Sequence, residues 1–100
     1  MPSLTITVPH TLEPQEAAER LKRLIELVKA QYGSHLSELH EEWTEQTGNF
    51  RVGAMGFKST GTVEVRTTEV HIQGSLPFAA VMFKGKIEDA IRQQVGKVLA

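Results

Sequence analysis

Two stretches of this chain carry apolar side chains at three- and four-residue steps, and most of what lies between them alternates at two. In the first, Ala17, Ala18, Leu21, Leu24, Ile25, Val28 and Tyr32 line one side, while Glu19, Arg20, Lys22, Arg23, Glu26 and Lys29 fall elsewhere. In the second, Ile87, Ala90, Ile91, Val95, Val98 and Leu99 form the stripe, with Lys86, Glu88, Asp89, Arg92 and Lys97 mostly off it. Each stripe is the face of a helix that must leave water. A sheet face covers both, which sets the class as α+β.

The strands are read from alternation and turn chemistry. Leu4, Ile6 and Val8 share one face and Pro9 ends the run, so the chain opens on a half-buried strand. Thr11 suits a helix cap, with Glu13, Pro14 and Glu16 in a first turn, which predicts a helix from about residue 12. Gly33 after Tyr32 is placed to end it in the left-handed conformation. Leu39 and Trp43 are the expected inward anchors of a second strand. Thr47-Gly48-Asn49 and Lys58-Ser59-Thr60-Gly61 read as turns, and Phe50 to Phe57 as a strand curled by Gly53 and Gly56. Thr62 to Arg66 alternates, and Thr67-Thr68 turns into Val70 to Gln73. Pro77 sits at a first helical position before the second stripe. The expected fold is a two-layer sandwich of order β-α-β-β-β-β-α. A curled antiparallel sheet carries two helices, the long C-terminal one on the sheet, with residues 1–100 as one domain.

Charge and composition remove whole classes of function. A net charge of -1 gives no footprint for a phosphate backbone, so nucleic acid is not an expected partner. The absence of cysteine removes disulfides, thiolate metal sites and thiol nucleophiles, and suits the cytoplasm. The alternating start lacks the form of a secretory signal. The longest apolar run, Leu76 to Phe83, is far below the roughly 20 residues of a helical membrane span.

No residue set assembles a catalytic pattern, so neither an enzyme nor a cofactor or metal is expected. His10, His35, His40 and His71 are read as surface or turn residues, with His40 opposite His71 the one geometric alternative. Glu38, Glu41, Glu42 and Glu45 form an acidic strand region, in which Glu41 beside Trp43 is the one candidate for an unusual carboxyl. Gly53-Ala54-Met55-Gly56 lacks the strand-to-helix transition and the Lys-Ser/Thr of a phosphate cradle.

The run Leu76-Pro77-Phe78-Ala79-Ala80-Val81-Met82-Phe83 is the most informative oddity, because its side chains cannot all face one core. Phe78, Val81, Met82 and Phe83 are therefore the candidate partner-binding residues. The competing readings place the same run under the sheet edge or in a homodimer contact. Trp43 and Phe50 are candidates to line a sheet-helix cavity for an acyl or hydroxyacyl ligand.

The chain resembles the polyhydroxyalkanoic acid system family of small bacterial proteins. The likeness is carried by the strand running into Pro9-His10-Thr11-Leu12, the alanine-bearing helix ending Tyr32-Gly33, and Trp43 and Phe50. The strands of Gly56 and Gly61, and Phe83-Lys84-Gly85-Lys86-Ile87-Glu88, complete it. The resemblance implies a non-enzymatic, cytoplasmic protein that meets the polyhydroxyalkanoate granule polymer, a coat protein or the polymerase. A small hydrophobic-ligand carrier is the alternative.

Overall fold

A computed structural model describes residues 2–100 of the chain. In chain order it forms β1 (Ser3–Pro9), α1 (Pro14–Tyr32), β2 (Glu38–Thr44), β3 (Thr47–Ala54), β4 (Phe57–Val65), β5 (Glu69–Ser75) and α2 (Lys84–Leu99). Short 3-10 segments cover Gly33–His35 and Phe78–Phe83. The strands form one antiparallel sheet in the order β1-β5-β4-β3-β2, so β2 to β5 are a meander and β1 returns to its last strand. This is the α+β architecture expected, with both helices on one face.

Register decides which side chains meet them. Leu4, Ile6 and Val8 lie opposite Gly74, Ile72 and Val70, and the same face continues through Gly61, Val63 and Val65. It runs on through Phe50 and Gly48 to Glu41 and Trp43. α2 lies against β1 with α1 beside it. Arg20 of α1 donates to the carbonyls of Val98 (3.2 Å) and Ala100 (3.0 Å), which fastens the start of α1 to the end of α2.

The core is uneven along this direction. Ile6 and Val70 are fully buried, joined by Ala17, Ala18 and Leu21 from the first half of α1 and Val95 and Leu99 from the end of α2. Burial of a side chain such as Ile6 contributes about 1.5 to 3 kcal/mol. Leu24, Ile25 and Val28 in the second half of α1, and Ile87 and Ile91 in the first half of α2, are only half-buried. One end of the two-layer stack is closely packed, and the other, where Leu4 and Leu76 are the buried residues, is more open.

Local chemistry departs from the expected pattern at several points. Helix α1 starts at Pro14, not near residue 12, and Thr11 does not cap it. A proline disfavours helical geometry in the residue before it, and Glu13 is extended at φ -62°, ψ 141°. Gly33 is right-handed (φ -55°, ψ -34°), so the chain passes into a 3-10 turn there and becomes extended at Leu36. Thr47-Gly48-Asn49 and Lys58 to Gly61 are strand, not turn. The reversals are two-residue loops at Glu45-Gln46 and Met55-Gly56, where Glu45 and Met55 both have φ 53° and Gly56 has φ 84°. Gly53 marks a close approach: a Cβ there would lie 2.6 Å from Ser37 Oγ, and Ser37 N–H donates to the Gly53 carbonyl at 2.8 Å.

His10 is the clearest reversal, since it is buried at 7% exposure rather than lying on the surface. Leu12 N–H donates to its Nδ1 at 3.1 Å, which puts the ring proton on Nε2, 2.9 Å from the Arg66 carbonyl. The neutral ring thus ties the exit of β1 to the β4–β5 connection. His40 and His71 do not meet, because β3 and β4 separate their strands.

Candidate functional site

The candidate site begins where β5 leaves the sheet. Leu76 is buried and its N–H donates to the Pro2 carbonyl at 2.8 Å, after which Pro77 (φ -60°, ψ 147°) turns the chain outward. A 3-10 helix has three residues per turn, so Phe78 and Val81 share one ridge, Ala79 and Met82 a second, and Ala80 and Phe83 a third. Ala80 packs against the core. The larger neighbours stay outside: Phe78 is 79% exposed, Val81 40%, Met82 84% and Phe83 51%. Lys84 and Lys86 follow at once, so the apolar cluster is bordered by positive charge.

Other elements bring exposed apolar side chains to the same open end. The β3–β4 hairpin overhangs the end of β5, since Thr60 N–H already meets Ser75 Oγ at 3.0 Å, and its tip carries exposed Met55 and Phe57. The second half of α1 adds exposed Leu27 and Tyr32. Sequence reasoning did not select these four residues for the site, and it placed Tyr32 on the buried stripe of α1, whereas at the last position of the helix the ring is exposed. Leu27 falls off the helical stripe, and that misplacement was the one available sign.

Trp43 and Phe50 do come together on the helix-facing side of the sheet. Their ring centroids lie 5.8 Å apart and the planes meet at 90°, an edge-to-face pair. Lys22 Nζ sits 5.2 Å from the Trp43 ring centre, and Trp43 Nε1–H donates to Glu41 Oε2 at 3.3 Å. The other Glu41 oxygen accepts from Lys29 Nζ at 3.0 Å. That hydrogen bond is the main cause of the raised pKa of Lys29. Glu41 is thus the joint between α1 and β2, with both oxygens in use.

Two hollows accompany these features. A hollow of about 620 Å³ crosses the sheet face opposite the helices; His40, Glu42, Asn49, Arg51 and Gln73 line it, and so does Phe50, whereas Trp43 does not. A smaller one, about 310 Å³, lies between Lys22 on α1 and the Glu45-Gln46 turn. Neither lies between the sheet and α2. Among the described residues no group of three or more His, Asp or Glu is placed to hold a metal ion, and no helix is long and apolar enough to cross a membrane.

Comparison with known proteins turns on one match. Residues 4–99 match the family described as "Putative polyhydroxyalkanoic acid system protein". The chain belongs to that family. None of the curated proteins matches this member of the polyhydroxyalkanoic acid system family. Among solved structures it is similar to that titled "Crystal structure of Ara h 8.0201", with a TM-score of 0.57 at 9% identity, covering 98% of this chain and 97% of the other. At that identity the likeness is one of fold. The crystal structure of TTHA0849 from Thermus thermophilus aligns at a TM-score of 0.36 and 12% identity, covering 98% and 92%.

Proposed function

We propose that this protein is a non-enzymatic, cytoplasmic member of the polyhydroxyalkanoate system that binds the granule surface through Phe78, Val81, Met82 and Phe83. The observation that carries the reading is the exposure of these four side chains on one 3-10 segment, at the end where Met55, Phe57, Leu27 and Tyr32 are also exposed. A single exposed apolar residue is ordinary, whereas a clustered set is what partner surfaces use. Burial of each such side chain supplies at most about 1.5 to 3 kcal/mol. A polyester surface offers alkyl groups to these residues and ester oxygens to the ammonium groups of Lys84 and Lys86. Family membership supports the setting. The carrier reading has less behind it, since Trp43 and Phe50 pack on each other, Phe50 alone of the two lines a hollow, and neither hollow lies between the sheet and α2.

The test is co-sedimentation of the purified protein with protein-stripped polyhydroxyalkanoate particles under excess albumin, with Phe78→Ser/Phe83→Ser as the paired variant. Saturable binding that the variant loses, with unchanged circular dichroism, is expected. Binding to native coated granules but not to stripped particles moves the partner to a coat protein or the polymerase. No binding to either removes the reading.

A further inference from the structure

The two free edges of the sheet are unlike one another. At one edge, His10 N–H donates to the Thr68 carbonyl and Leu76 N–H to that of Pro2, and both pairs continue the β1–β5 register. Hydrogen-bonded positions alternate along an antiparallel pair, so Leu4, Ile6 and Val8 bond to β5. Ser3, Thr5 and Thr7 therefore turn their N–H and C=O groups outward, where they meet no backbone partner among the described residues. Their side chains are exposed and uncharged, and no bulge, glycine or internal proline interrupts the strand. The opposite edge is built differently. Val65 N–H donates to the Gln46 carbonyl, and the same alternation carried through β3 leaves Leu39, Glu41 and Trp43 of β2 facing outward. Glu41, paired with Lys29, stands at the middle of that edge with Glu38 and Glu42 beside it, so charged side chains crowd the strand. Charge of this kind is how sheets blunt an edge, and β1 has none.

We propose that β1 is a self-association edge, and that a second copy of this chain pairs with it antiparallel about a twofold axis through Thr5. In that register Thr5 faces Thr5 of the second copy and Ser3 faces Thr7, so the outward backbone groups pair and hydroxyl side chains lie opposite hydroxyl side chains. The same five residues serve both sides, which is the self-complementarity a twofold interface needs. Pro9, without an N–H, ends the ladder at the far side of the strand. The pairing uses no residue of the Phe78–Phe83 segment and stands whether or not the granule reading does.

Sedimentation velocity on the full chain tests it. The wild-type protein is expected as a two-chain species, and Thr5→Lys and Thr5→Glu each as single chains, because like charges then meet on the axis. Mixing the two variants in equal amounts restores the two-chain species, since lysine now faces glutamate. Unchanged circular dichroism and Trp43 fluorescence certify the fold of each variant. A check needing no variant is amide hydrogen exchange, in which the N–H groups of Ser3, Thr5 and Thr7 lose protection on dilution. A wild-type protein that sediments as one chain at millimolar concentration overturns the proposal. So does a mixture that stays single-chain, or a dimer that Phe78→Ser dissolves and Thr5→Lys does not.

Discussion

Replacing Gly48 with alanine probes the joint between β2 and β3 with one methyl group. Gly48 lies opposite Trp43 in the register and is buried beneath its indole. A Cβ built there falls 2.9 Å from Trp43 Cε2 and Cζ2 and 3.0 Å from Phe50 Cε2. Carbon atoms rest at about 3.5 to 4.0 Å, so the rings must retreat by about 0.6 Å or more. The indole is not free to do so cheaply, being held by Glu41 through Nε1, by Phe50 at its edge and by Lys22 over its face. Overpacking of this sort costs about 1 to 3 kcal/mol. Loss of glycine freedom in the unfolded chain returns about 0.4 to 1 kcal/mol. The net expectation is a destabilisation of about 1 to 2 kcal/mol. For a chain of this size that lowers the melting temperature by roughly 4 to 16 °C. Trp43 is the sole tryptophan, so urea unfolding followed by its fluorescence reads the site directly. The midpoint should fall with the slope unchanged. In a Trp43→Leu background, followed by circular dichroism, the cost of Gly48→Ala should shrink because its main obstacle is gone. A variant as stable as the wild type, or an equal loss in both backgrounds, refutes the steric account.

Three further outcomes follow from the same structure. Ile6→Ala, at a fully buried position, should cost about 2 to 5 kcal/mol in chemical denaturation. Arg20→Met removes the donor to the Val98 and Ala100 carbonyls and should cost about 1 kcal/mol, with faster amide exchange confined to the end of α2 and the facing turn of α1. The pKa of Lys29 is raised from 10.5 by Glu41, so its pairing is fully present below pH 10.5 and fades as pH climbs through the higher folded value. The Lys29→Met variant should lack that alkaline limb when stability is followed against pH.

The types of element were legible because each is a local pattern: the stripes of α1 and α2 and the alternation of β1 and β5 need only neighbouring residues. The turns were less so. Gly48 in Thr47-Gly48-Asn49 has the chemistry of a reversal, but its missing side chain makes room for Trp43, a fact that exists only once β2 pairs with β3. The burial of His10 escapes a sequence reading for the same reason, since the Arg66 carbonyl that satisfies it is 56 residues away in sequence. The Phe78 to Phe83 cluster could be picked out because eight apolar or proline residues in a row exceed what one face can hide. Met55 and Phe57 could not, because only the overhang of the β3–β4 hairpin carries them to that end.

The uneven core gives α2 the mechanics of a lever. Its 16 residues make a rod of about 24 Å, clamped at the far end by Val95, Leu99 and the Arg20 link and packed more loosely along the rest. A tilt of about 5° at the clamp displaces the free end by about 2 Å over that length. The 3-10 segment joins that end of α2 to Leu76, which the Pro2 carbonyl holds to the sheet, and Ala80 packs on the core between them. The four exposed side chains thus sit between a fixed strand end and the less tightly packed end of a helix.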